Sequence, residues 1–153
     1  MERRRWRLDP CIGSFAMAYW LVKSEPEDWS WQDQCGVESE PWTGVRNHQA
    51  QNNMRAMKVG DEVLFYHSGK AREIVGLCEV SKGPYPDPND ENGKFCLIDL
   101  KAKASAKTPV SLAEIKALPA LGHLALVRQA RLSVMPIDGE AWQTLTDLAG
   151  LKE

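Results

Sequence analysis

The 153 residues carry a formal charge of −2, with 43% hydrophobic and 26% charged side chains. That length supports one domain with its own core, and that composition excludes a globally disordered chain. No run of about 18 apolar residues occurs, which excludes a membrane-spanning helix, and the near-neutral balance excludes coating of nucleic acid by bulk charge.

Residues 1–17 hold Arg3, Arg4, Arg5 and Arg7 against Glu2 and Asp9, a net +2, so the remainder sums to −4. Asp9, Pro10 and Gly13 spoil any apolar export core, so this stretch reads as a disordered leader or an upstream start. Residues 18–153 read as a single domain, without internal repeat or linker. The cysteines at 11, 35, 78 and 96 form no pair motif. They read as reduced thiols in a cytoplasmic chain rather than a disulfide framework.

Ala18–Lys23 (AYWLVK) is rich in β-formers and predicts a buried strand, broken at Ser24-Glu25-Pro26. Ser30–Cys35 predicts one helical turn closed by Gly36. A loop over 38–45 follows, with Pro41, Trp42 and Gly44. Asn47–Lys58 predicts a helix: Asn47 is its N-cap, and Ala50, Met54 and Met57 share a face. Glu62–Ser68 and Glu73–Ser81 predict strands, and Gly76 inside the second signals a bulge or a close backbone approach. Residues 83–93 read as a proline-rich loop, and Lys94–Lys103 as a third strand. Ser111 and Glu114 make a capping box for a helix. Arg131–Pro136 predicts a short strand. Asp138 caps a terminal helix that turns Ala141, Trp142, Leu145 and Leu148 inward. Regular βαβ alternation is missing, which argues against a doubly wound parallel sheet and for a small mixed or antiparallel barrel flanked by helices, an α+β fold.

Chemistry-bearing motifs are scarce. There is no nucleophile elbow, phosphate loop or dinucleotide glycine pattern, and His48, His67 and His123 lack metal-ligand spacing. No cofactor and no metal are expected. Three clusters do stand out: Trp20–Pro26, Trp42–Asn47 and Phe65–Ser68. Each sets an aromatic beside hydrogen-bonding groups where an element ends. Five of the six tryptophans precede Thr43. Trp20 and Trp142 fit packing positions, whereas Trp42 sits in a loop without apolar periodicity and is the candidate ligand platform.

At these clusters the sequence resembles the EVE domain family. The matching stretches are Trp20–Pro26 (WLVKSEP), Trp42–Asn47 (WTGVRN), Ala50, Asn52–Met57, Lys58–Asp61, Phe65–Ser68, Ile74–Gly76, Leu126–Arg128 and Leu132-Ser133, in family order from Ala18 to about Leu148. The chain departs from the family at His48, where Tyr is usual, and at Gln51, where Arg is usual. The resemblance implies a PUA-like barrel that binds nucleic acid, DNA or RNA, through a modified base, without being an enzyme.

The expectation that follows is a pocket formed by Trp20, Ser24, Trp42, Val45, Arg46, Asn47, Tyr66 and His67 that accepts one extruded base. Lys23, Arg46, Arg55 or Arg128 would hold phosphate. Extrusion costs a few kcal/mol and one aromatic platform returns about 1–3, so edge hydrogen bonds and phosphate contacts must supply the surplus. Two rival readings stand beside it. One is an RNA-binding accessory module gripping with Lys101, Lys103 and Lys107. The other is a small-molecule-binding protein or enzyme using the same cavity with His67 as general base.

Overall fold

The computed structural model describes residues 18–151; the expected leader lies outside them. Six strands form one sheet: β1 (Tyr19–Ser24), β2 (Glu40–Pro41), β3 (Glu62–His67), β4 (Glu73–Pro86), β5 (Cys96–Ser111) and β6 (Val134–Ile137). Their order is β2-β5-β4-β3-β1-β6. β1 runs parallel to β3, with Leu21 opposite Leu64 and Val22 opposite Phe65; the other neighbours pair antiparallel. A parallel pair needs a crossover, and residues 25–61 supply it. They carry α1 (Trp31–Cys35), β2 and α2 (His48–Ala56).

The sheet is open rather than closed into the expected barrel. Its edges are β2, only two residues long, and β6, only four, and no ladder joins them. The observed architecture is a mixed six-stranded sheet with helices, consistent with a PUA-like fold.

Several elements follow their local signals. Ser30 caps α1 in a reciprocal box with Asp33, and Asn47 caps α2 by accepting the Ala50 N–H at 2.9 Å. At Gly76 both expectations hold. The β3–β4 register shifts beside it, and a Cβ there would lie 2.3 Å from the Trp31 ring. Other elements differ. β4 continues through Pro84 to Pro86, because register shifts at Val80/Lys82 and Lys82/Tyr85 absorb the prolines, and Gly83 takes φ +105°. β5 runs on to Ser111. The short α3 (Leu112–Lys116) follows the capping box, and α4 (Ala125–Arg128) is an addition that sequence periodicity did not reveal. In α5 (Gly139–Ala149) the buried face is Ala141, Trp142, Leu145, Thr146 and Ala149. Leu148 falls at its edge and is exposed, contrary to expectation.

The core is continuous. Leu21, Val22, Val63, Leu64 and Phe65 on the adjacent β1 and β3 are fully buried. Phe65 carries Trp31 at 5.1 Å, tilted, and Trp42 edge-on at 5.8 Å. Each such aromatic contact contributes roughly 0.5–1.5 kcal/mol beyond its buried area. The consequence for function is positional: both tryptophan rings rest on the same buried side chain of β3.

Candidate functional site

Beyond the C-terminal end of β1, the turn after it, β2 and the loop into α2 enclose a cavity of about 420 Å³. That is within the range of small-ligand sites. Lys23, Ser24, Glu25, Asp28 and Trp29 line one side, Glu40, Pro41, Trp42, Thr43, Gly44, Val45 and Arg46 the other, and Ser133 completes it.

Each wall is held in place. The Trp42 N–H donates to the Ile98 carbonyl at 2.7 Å, and Glu40 and Pro41 pair with Leu100 and Asp99 of β5. Gly44 has φ +81°, a turn that only glycine makes without strain. Opposite, the Ser24 hydroxyl donates to the Trp29 carbonyl, and Trp29 Nε1 donates to Gln34 Oε1 at 2.8 Å. Gln34 is itself buried and donates to the Leu100 carbonyl at 2.9 Å. Trp29 is therefore oriented through Gln34 onto β5, the same strand that anchors Trp42. Glu25 packs against Gly69 so closely that a Cβ there would meet its carboxylate.

Of the residues expected in the pocket, Ser24, Trp42, Val45 and Arg46 line the cavity, together with Lys23. Trp20, Asn47, Tyr66 and His67 stand outside its lining. Trp20 is buried and its Nε1 donates to Asp61 Oδ2 at 3.0 Å. Asn47 is occupied as a helix cap. Tyr66 is buried beneath Lys23, whose Nζ lies 5.9 Å from the ring centroid. His67 Nε2 accepts the Trp31 N–H at 3.0 Å, so the lone pair a general base would use is taken. Burial pulls the imidazole pKa below its ordinary value, against the opposing pull of Glu73.

The phosphate candidates also separate. Lys23 Nζ donates to the Ala130 carbonyl at 2.9 Å, and burial lowers its pKa. Arg128 Nε donates to the Gly122 carbonyl at 3.0 Å, away from the cavity. Arg55 is exposed on α2, near Arg46 but outside the cavity lining. Of the basic patch proposed for RNA, Lys103 pairs with Glu62 at 2.9 Å and Lys101 with Glu79 at 3.8 Å, so much of its charge is neutralised.

Trp29, Asp28 and Glu40 are lining residues outside every stretch that the sequence singled out, whereas Glu25, Thr43, Gly44 and Ser133 lie in such stretches without having been assigned to the pocket. Trp29, a second tryptophan two residues before the packed Trp31, offered the best signal. The lining holds three carboxylates against two cations. Burial, with Asp99 nearby, raises the Glu40 carboxyl above its ordinary pKa. Gln51, at the position where the family usually has Arg, is buried on α2. Its amide donates to the Val45 carbonyl at 2.9 Å and accepts the Cys96 N–H at 2.9 Å, stapling the cavity rim to β5. Among the described residues no group of His, Cys, Asp or Glu is arranged to hold a metal ion.

A mixed six-stranded sheet with helices and an aromatic, carboxylate-lined cavity at one end defines a small mixed α/β domain, consistent with a PUA-like fold. The chain belongs to the EVE domain family, whose model matches residues 18–148. It is 31% identical over 168 residues to human thymocyte nuclear protein 1, covering 86% of this chain and 73% of that protein. The structure of the human THYN1 protein in complex with 5-methylcytosine-containing DNA superposes with a TM-score of 0.80 at 32% identity, covering 89% of this chain and 99% of that one. A solved protein from Rhodopseudomonas palustris is 49% identical with a TM-score of 0.85, covering 90% of this chain and 96% of that one. An ASCH structure from Zymomonas mobilis, 12% identical with a TM-score of 0.56, covers 85% and 94% and is similar in fold alone.

Proposed function

We propose that this domain binds nucleic acid by taking one extruded base, of the cytosine type and open to 5-methylation, into the cavity between Trp29 and Trp42, and that it performs no reaction on it. The observation that carries the reading is the lining itself: two tryptophans beside Glu25, Asp28 and Glu40. A carboxylate only accepts hydrogen bonds, so a carboxylate facing the exocyclic position favours a base with an amino donor there and disfavours thymine and uracil, whose O4 at that position accepts. The same charges repel phosphate, so the cavity suits an uncharged ring. The human relative's complex with methylated DNA supports the class of ligand.

A methyl group buried against Val45 or a tryptophan adds about 0.8 kcal/mol, roughly fourfold in affinity. Methylation is therefore read modestly, and the amino edge more strongly. Trp42 is a poor first target for mutation, because it is only 8% exposed and supports Phe65. Trp29 is half-buried and serves better. Titrating the protein with 5-methyl-2′-deoxycytidine and with thymidine should show a preference of about tenfold for the cytosine nucleoside. Trp29→Leu should weaken it by about 1–3 kcal/mol. Equal binding of both nucleosides, or binding indifferent to Trp29, overturns the proposal.

A further inference from the structure

The cavity leaves its phosphates unaccounted for, and the surface beside it offers them a place. Arg46 lines the base cavity and also a second groove of about 390 Å³ with His48, Arg55, Lys94 and Phe95. Arg55, Lys94 and Phe95 in turn line a third depression of about 280 Å³ that reaches Tyr85. The three hollows form a chain, each sharing residues with the next. Cations and rings alternate along it: the Arg46 guanidinium lies 4.4 Å from the Phe95 centroid, and Lys82 Nζ lies 4.6 Å from the Tyr85 centroid.

Arg46, Arg55, Lys94 and Lys82 are exposed and make no ion pair with any described residue. Three carboxylates lie near them, and all are engaged. Asp87 is buried and accepts the Asn89 N–H at 2.9 Å. Asp90 accepts the N–H groups of Asn92, Lys94 and Phe95, and these bonds, that from Phe95 foremost, together with the nearby Arg46 charge hold its carboxyl below its ordinary pKa. Asp99 accepts the Tyr85 hydroxyl. The Asp90 bonds also fix the loop that presents Lys94 and Phe95, and Arg55 donates to the Lys94 carbonyl. The groove is therefore formed before any ligand arrives. A basic groove with interleaved aromatics is what a single strand needs, phosphates on the cations and a neighbouring base on a ring. Residues 18–153 sum to −4, so this cluster is a local exception.

We propose that the track from Arg46 through Arg55, Lys94 and Phe95 toward Tyr85 holds the backbone of the strand flanking the extruded base. This inference rests on the cavity reading and adds to it the direction in which the strand leaves. Lys23, Arg128, Lys101 and Lys103 carry no phosphate in it.

The test uses the full chain and a fluorescent single-stranded DNA with one central 5-methylcytosine, titrated at several salt concentrations. Arg55→Gln with Lys94→Gln should weaken oligonucleotide binding by about tenfold and make the salt slope shallower by about 0.7 for each phosphate no longer neutralised. Phe95→Ala should weaken binding with little change of slope. The same double variant should bind free 5-methyl-2′-deoxycytidine as the native protein does, because neither side chain lines the base cavity. Lys101→Gln with Lys103→Gln should leave both ligands unaffected. An RNA strand of matching sequence shares the backbone chemistry and should respond to the double variant in the same way. An unchanged salt slope in the double variant, with native nucleoside binding intact, overturns the track. Failure of the native protein to bind the nucleoside overturns the cavity reading instead.

Discussion

Trp20 and His67 are polar-edged aromatics that close hydrogen-bond circuits rather than meet a ligand. Asp61 is buried and gathers three donors: Trp20 Nε1 at 3.0 Å, the Lys58 N–H at 2.9 Å and the Ala18 N–H at 3.4 Å. His67 does the converse, with its Nε2 accepting the first N–H of α1. Burial disfavours the charged ring and lowers its pKa, against the opposing pull of Glu73, and a protonated imidazole could not accept this bond. The unfolded chain then binds the proton more readily. Stability from this group is complete above the ordinary histidine value of about 6.5 and is lost progressively as the pH falls below it toward the depressed value. Urea unfolding between about pH 7.5 and about pH 5.5, roughly one unit on either side of that value, should show a decline that His67→Gln flattens, since Gln keeps an acceptor that does not titrate. An identical pH profile in the variant would assign the decline to other groups.

At the scale of elements, the close approach of α1 to β4 positions one wall of the cavity. Trp31 lies over Gly76, its Nε1 donates to Ser105 Oγ at 2.9 Å, and its ring packs on Phe65. The neighbouring Trp29 is carried on the same turn. Gly76→Ala drives a methyl into the Trp31 ring carbons, with no flexible side chain able to yield, and overpacking of this kind costs about 1–3 kcal/mol. Denaturant melts should register that loss, and because α1 shifts, nucleoside affinity should fall as well. Full stability in the variant would mean that α1 moves freely on the sheet.

The Asn47 cap of α2 and the irregularity of β4 at Gly76 were legible in the sequence because each is declared by residues adjacent in the chain. The lengths of β4 and β5 were not: prolines and glycines signal a loop locally, whereas cross-strand pairing with bulges carries the ladder through them. The candidate site divides along the same line. Ser24, Trp42, Val45 and Arg46 stand in conspicuous clusters. Glu40 and Trp29 enter only because β2 and Gln34 both attach to β5, a relation between distant segments. Tyr66 and His67 belong to an equally conspicuous cluster, but their side chains serve the core and α1.

For the whole molecule, the sheet order sets a gradient of rigidity with the cavity at its softer end. β3 and β1 lie inside the sheet, and Leu21, Val22, Leu64 and Phe65 are fully buried. β2 is a two-residue edge, and the Trp42 N–H beyond it depends on one bond to Ile98. Opening free energies run from near zero at edges to the global value in the core, and binding elements are drawn from the soft end. Native-state hydrogen exchange should find the Leu64 and Phe65 amides slowest and the Trp42 amide far faster. A base seated against Trp42 and Val45 binds only the closed edge, so saturating 5-methyl-2′-deoxycytidine should slow Trp42 exchange. At a hundredfold excess over the dissociation constant the slowing is about 2.7 kcal/mol, near a hundredfold. Protection that rises at the core and not at Trp42 would place the ligand elsewhere on the sheet.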